Sequence, residues 1–77
     1  MKLEQSSAEL NVPDQLVAEP VRQAVSGISK SEAWRQIKVG RFPAPVRIGS
    51  GRCTRWSLRE LNEWVRARLS ERDQAAA

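Results

Sequence analysis

The 77-residue chain has no histidine, no tyrosine, one cysteine, one phenylalanine and no long apolar run. Each of these shortages removes a class of function. With no histidine and with Cys53 alone, there is neither a Cys/His zinc set nor an internal disulfide. A reducing, cytoplasmic setting is expected, with Cys53 as a small semi-buried strand residue. Glu32 and Glu60 hold cap positions and Glu63 falls on an outer helix face, so no nucleophile–base pair or metal cluster can be assembled. The chain is therefore expected not to be an enzyme and to use no catalytic residue, cofactor, metal or small-molecule ligand. No segment has the ~20 apolar residues of a membrane span, and residues 1–15 lack the apolar stretch of a signal peptide. A membrane partner is not expected.

Charge is what the sequence does have, and it is unevenly placed. Residues 20–69 hold eleven bases against three acids, whereas residues 1–19 hold Lys2 against Glu4, Glu9, Asp14 and Glu19. A basic segment between acidic ends calls for an anionic partner, with nucleic acid ahead of membrane. A chain this short builds one small core, so most apolar side chains at regular spacing are needed for packing.

The expected division is an acidic, disordered tail over residues 1–15, one domain over residues 16–70 and a frayed tail over residues 71–77. Val17, Val21, Ala24 and Val25 fall at helical spacing and predict the inner face of a first helix starting near Glu19. Pro20 then lies in its first turn, and Ser26-Gly27 ends it. Ser29-x-x-Glu32 is a capping box, with the Ser oxygen accepting from a first-turn amide and Glu32 reaching back to the Ser29 amide. That second helix runs to about Val39 and stops at Gly40, with Ala33 and Ile37 inward. Two short strands follow. Val46 and Ile48 alternate with Arg47, "GSG" turns, and Cys53, Arg55 and Trp56 return; Pro43 and Pro45 confine the first strand to an edge. Ser57-x-x-Glu60 opens a last helix whose inner stripe is Leu61, Trp64, Val65, Arg68 and Leu69. The order is mainly α with a small β-hairpin: a winged helix-turn-helix of three helices plus a two-stranded wing.

In a helix-turn-helix, the second helix enters the major groove with its N-terminal residues at base edges. Here that helix carries Ser29, Lys30, Ser31, Trp34, Arg35 and Lys38. Arg35 is the best candidate for base readout, because its planar fork makes two hydrogen bonds to guanine. Lys30 and Lys38 suit phosphate contact, and the positive helix end at Ser29–Ser31 favours a phosphate. Trp34 reads equally as a core residue shared with the hairpin or as an indole against sugar-phosphate. On the wing side stand Arg41, Arg47, Arg52 and Arg55, with Arg52 at a glycine-bearing tip that can follow a backbone or enter a minor groove. The plainer alternative is a solvated charged edge that discourages strand addition. Eight bases and one acid lie between Arg22 and Arg55.

The stretch "SGISKSEAWRQIKVGRFPAPVRIG…RWSLRELNEWV" resembles the AlpA-type and phage excisionase group of small winged-helix DNA-binding proteins. The matching positions are Gly27, Ser29, Lys30, Ser31, Trp34, Arg35, Ile37, Lys38, Gly40, Phe42, Pro43, Arg55, Trp56 and Trp64, and the resemblance covers about residues 16–69. It implies a MerR-like/excisionase-like fold and a cytoplasmic, nucleoid-associated protein of a prophage or integrated mobile element. Its partners would be double-stranded DNA, a site-specific integrase and side-by-side copies of itself. Some members of the group activate transcription. Others are recombination directionality factors that bind adjacent sites and bend DNA so that an integrase excises the element. Three departures stand out. Trp34 replaces the group's usual Tyr, Ala33 and Gln36 stand where larger apolar residues are common, and Pro20 and Arg22 interrupt the first helix.

The expected function is sequence-specific DNA binding as an excisionase. An AlpA-like transcriptional regulator is the first alternative. The second is a protein-interaction adaptor without specific DNA binding.

Overall fold

The computed structural model describes residues 14–76; the acidic stretch 1–13, read above as a tail, lies outside the described residues. The elements are β1 (Leu16–Val17), α1 (Glu19–Ser26), α2 (Lys30–Lys38), β2 (Val46–Ile48), β3 (Cys53–Ser57) and α3 (Leu58–Ala76). The strands form one antiparallel sheet in the order β1-β3-β2. Three helices and a small hairpin make the winged helix-turn-helix that the residue pattern implies.

Two glycines punctuate the helix-turn-helix. Gly27, at φ +77°, ends α1 and its amide donates to the Gln23 carbonyl at 2.8 Å. Gly40, at φ +76°, follows α2, its amide donating to Ile37 and that of Arg41 to Gln36, the paired bonds of a Schellman stop. Both positions need the left-handed backbone that a Cβ disfavours. At the other end of α2, Ser29 Oγ accepts from the Glu32 amide at 3.2 Å as expected. The reciprocal half of that capping box is absent. The Glu32 carboxylate instead accepts from Arg35 and from Gln36 Nε2.

The face of α1 differs from the expected one. Val17 is not on the helix at all: it is buried in β1, paired with Trp56. Val21 is 43% exposed and Ala24 is exposed, while Arg22 is fully buried beside half-buried Val25 and Ser26. Pro20 near the start of the helix removes Val17 from the helical register. Arg22 then turns inward because its donors find acceptors there.

The core consists of Val17, Ala33, Phe42, Trp56 and Leu61, with Val25, Ile28, Trp34, Ile37, Leu58 and Trp64 packed around it, so Val25 faces inward as its spacing predicts. Ala33, the small residue on the inner side of α2, is only 1% exposed. Trp34 meets Trp56 edge-on at 6.1 Å between centroids, and Phe42 meets Trp64 at 5.0 Å. Burying a Leu or Trp side chain of this kind is worth roughly 1.5–3 kcal/mol or more, so the five core residues supply most of a small domain's cohesion.

The first turn of α3 is capped by a segment from the chain's other end. Ser57 Oγ accepts from the Glu60 amide at 3.1 Å, the Asp14 carboxylate from the Arg59 amide at 3.0 Å, and the Gln15 carbonyl from the Leu58 amide at 2.8 Å. Ser57 Oγ also donates to Asp14. Ordered packing thus reaches back to Asp14, inside the stretch assigned above to the N-terminal tail. On the inner stripe of α3, Leu61 is buried and Trp64, Val65 and Arg68 are half-buried, but Leu69 is 45% exposed. The helix continues to Ala76, through the residues read above as a frayed tail.

Candidate nucleic-acid interface

Burial of Ala33, with half-buried Ile37 packed beside it, leaves the opposite side of α2 in solvent. Ser29, Lys30, Ser31, Arg35 and Lys38 are all exposed there. The Ser29 hydroxyl is occupied with the Glu32 amide, so the first helical amides, those of Lys30 and Ser31, remain for an external acceptor. Trp34 is half-buried with its ring against Trp56, which makes it a packing residue first and leaves only part of the indole in solvent.

The Arg35 side chain is 74% exposed and pairs with Glu32 one turn earlier. The hydrogen bond from Gln36, then that from Arg35, holds the Glu32 carboxyl below the usual carboxylate range. The same pair raises the already high Arg35 pKa. Exposed ion pairs on a helix are screened by water, so the Arg35–Glu32 pair is weak and leaves the guanidinium easily drawn to another acceptor.

The wing arginines are not one cluster. The register pairs Arg47 with Thr54, Val46 with Arg55 and Ile48 with Cys53. Because successive side chains alternate, Arg47 and Thr54 share the sheet face of Trp56, which is the face turned to Trp34 on α2. Arg55 lies on the opposite face with Val46 and Ile48, which are 47% and 42% exposed. Arg55 is half-buried and donates to the Thr54 carbonyl at 2.8 Å; Arg47 donates to the Gly51 carbonyl at 3.3 Å. Arg52 is exposed at the tip. Arg41 belongs to the α2–β2 connection rather than to the hairpin, and its carbonyl accepts from Trp64 Nε1 at 2.9 Å. It lines an open groove of about 1410 Å³ that also includes Glu32 and Arg35 of α2 and Glu63, Trp64, Arg68 and Glu71 of α3, so its surroundings are of mixed charge.

Arg22, counted among the bases of this region from sequence, contributes nothing to the surface. It is wholly enclosed, and no phosphate reaches it. A sequence signal was available: Glu19 and Ser26 frame Arg22 at i−3 and i+4, and both hydrogen-bond to it. Among the described residues no three His, Cys, Asp or Glu side chains converge to hold a metal ion, and no helix is long and apolar enough to cross a membrane.

The family model described as Prophage CP4-57 regulatory protein (AlpA) matches residues 15–69, which contain every element above except the last turns of α3. The chain belongs to the AlpA family. Membership points to a regulatory, DNA-binding protein of the prophage kind rather than to an enzyme. The match opens at Gln15, whose carbonyl caps α3, and closes at Leu69, where that helix leaves the core. Neither the curated proteins nor the solved structures supplied a match.

Proposed function

We propose that this AlpA-family chain is a sequence-specific DNA-binding protein of a prophage or integrative element, acting in the cytoplasm on the nucleoid as an excisionase. The observation carrying this reading is the outer side of α2. Lys30, Ser31, Arg35 and Lys38 stand exposed on a helix whose other side is locked to the core by Ala33. In this reading α2 lies in the major groove. Arg35 reads a guanine edge, Lys30, Lys38 and the amides at Ser29–Ser31 hold phosphates, and Trp34 lends its exposed part to the backbone. Arg47 and Arg52 follow the backbone or minor groove beside it, with Arg41 and Arg55 as outlying phosphate contacts. A domain spanning residues 16–70 makes a short footprint, so specificity comes from copies bound side by side, next to the attachment site and in contact with an integrase.

A regulator acting at promoters is the second reading, favoured by the family's description as regulatory. A genome-wide footprint of the tagged protein in its host separates them. Clustered, phased sites beside an integrase gene and an attachment site are expected for an excisionase; peaks confined to promoters identify a transcription factor. Diffuse signal sinks specific binding and leaves a protein-interaction adaptor.

A further inference from the structure

Arg22 is a charged side chain with no solvent exposure, and all three guanidinium nitrogens are hydrogen-bonded. Nε donates to Glu19 Oε1 at 3.0 Å and Nη2 to Glu19 Oε2. Nη1 donates to Ser26 Oγ at 3.1 Å and to the Ile28 carbonyl at 2.9 Å. Its guanidinium carbon lies 6.0 Å from the Phe42 ring centroid and 5.8 Å from that of Trp56. A buried ion pair rarely exceeds well-packed apolar residues of the same volume in stability. Geometry is what this arrangement adds.

The atoms it joins surround α2. Ile28 lies in the turn, one residue before the α2 cap Ser29. Phe42 lies two residues beyond the Gly40 stop, and Trp56 packs on Trp34 in the middle of the helix. One planar group therefore ties α1 to the start, the middle and the exit of the DNA-facing helix. We propose that Arg22 is a positioning residue that sets the angle at which α2 meets DNA. The proposal rests on the DNA-binding reading above.

The lever is long enough to matter. At about 1.5 Å per residue, the nine residues of α2 span about 13 Å, so a swing of about 10° at the turn moves Lys38 by roughly 2 Å. Functional constellations tolerate about 0.5 Å. Flexible lysines re-find phosphates after such a shift, whereas a two-bond fork on a guanine edge does not. Disturbing Arg22 therefore costs specific binding more than non-specific binding.

The test uses Arg22→Met, which keeps an unbranched chain and removes the charge, and Arg22→Lys, which keeps the charge and loses the fork. The DNA probes are a duplex enriched from a random pool by the wild-type protein and its scrambled counterpart. Hydrogen exchange is followed on the free proteins. Both variants are expected to unfold cooperatively, to lose about tenfold or more on the enriched duplex and to hold the scrambled duplex within about twofold. Their salt dependence should match wild type, and the hydrogen-bonded amides of Gly27, Ile28 and Glu32 should exchange faster while those around Leu61 do not. Wild-type affinity for the enriched duplex in a folded variant overturns the proposal. A log–log salt slope shallower by about 1 overturns it too, since Arg22 would then be a phosphate contact. Unfolding of both variants makes Arg22 a stability element and is equally fatal. If the wild type enriches no duplex, the DNA reading itself has failed. The exchange data then still decide whether Arg22 holds the turn, and unchanged protection at the Gly27, Ile28 and Glu32 amides refutes that.

Discussion

Salt is the sharpest perturbation of the proposed interface, and the structure sets its magnitude. Of the eight bases between Arg22 and Arg55, Arg22 is sealed in the core and Arg35 is assigned to a base edge. Lys30, Lys38, Arg47 and Arg52 are exposed on α2, on the Trp56 face of the wing or at its tip. Arg41, beside Arg35 in the open groove, and Arg55, on the far wing face, extend that set only if the DNA reaches into the groove and around the wing. Roughly four to six phosphates are therefore neutralised, and at about 0.9 per phosphate the log–log slope lies between about −3.6 and −5.4. Raising monovalent salt from about 50 to about 200 mM should weaken binding by roughly 10² to 10³-fold. The sequence count alone, which includes Arg22, would have allowed a slope as steep as about −7. Fluorescence anisotropy with a labelled duplex at several salt concentrations measures this directly. Lys38→Ala should lower the slope by about 0.9 on all sequences. Arg35→Ala should leave the slope nearly unchanged and erase the preference for the selected site. A wild-type slope shallower than about −2 would refute the reasoning, because the exposed face of α2 and the wing could not then be the contact.

Other consequences follow from the fold. Leu61→Ala empties a fully buried position and should cost about 2–5 kcal/mol, lowering the urea midpoint without changing the m-value. Gly40→Ala forces a Cβ into the left-handed region at φ +76°, with no atom in its way, so the backbone alone should cost about 1–2 kcal/mol by thermal melting. The Asp14 carboxyl is held below its usual range, first by the Ser57 hydroxyl and then by the Arg59 amide. As the unfolded state then binds the proton more readily, this stabilisation is complete above the ordinary carboxylate pKa and disappears as pH falls through the lowered one. Asp14→Asn should flatten that part of the acid limb in urea melts between neutral pH and about pH 3; an unchanged limb would mean that the cap at Ser57 does not depend on Asp14.

What could be read from the residues alone was whatever is decided within about four positions along the chain. Gly27 and Gly40 stop helices, and Ser29 and Ser57 accept from the amides three residues on, because the partners in each case are sequence neighbours. The solvent side of α2 followed equally well, since Ala33 and Ile37 settle which way a nine-residue helix turns. Spacing failed for α1. Of the four apolar residues that suggested its inner face Val25 does pack on the core, but Arg22 is the fully buried residue there, because its acceptors and the rings of Phe42 and Trp56 come together only when the chain closes. The same holds for the Asp14 cap on α3, made across more than forty residues, and for Leu16–Val17, a strand only because β3 offers an edge. It holds too for the wing, where one basic run is divided between two faces by the pairing of Arg47 with Thr54. Sequence determined the three helices, the hairpin and their charge; tertiary structure added the short first strand and decided which of those charges can reach a ligand, since burial depends on distant partners that no local pattern contains.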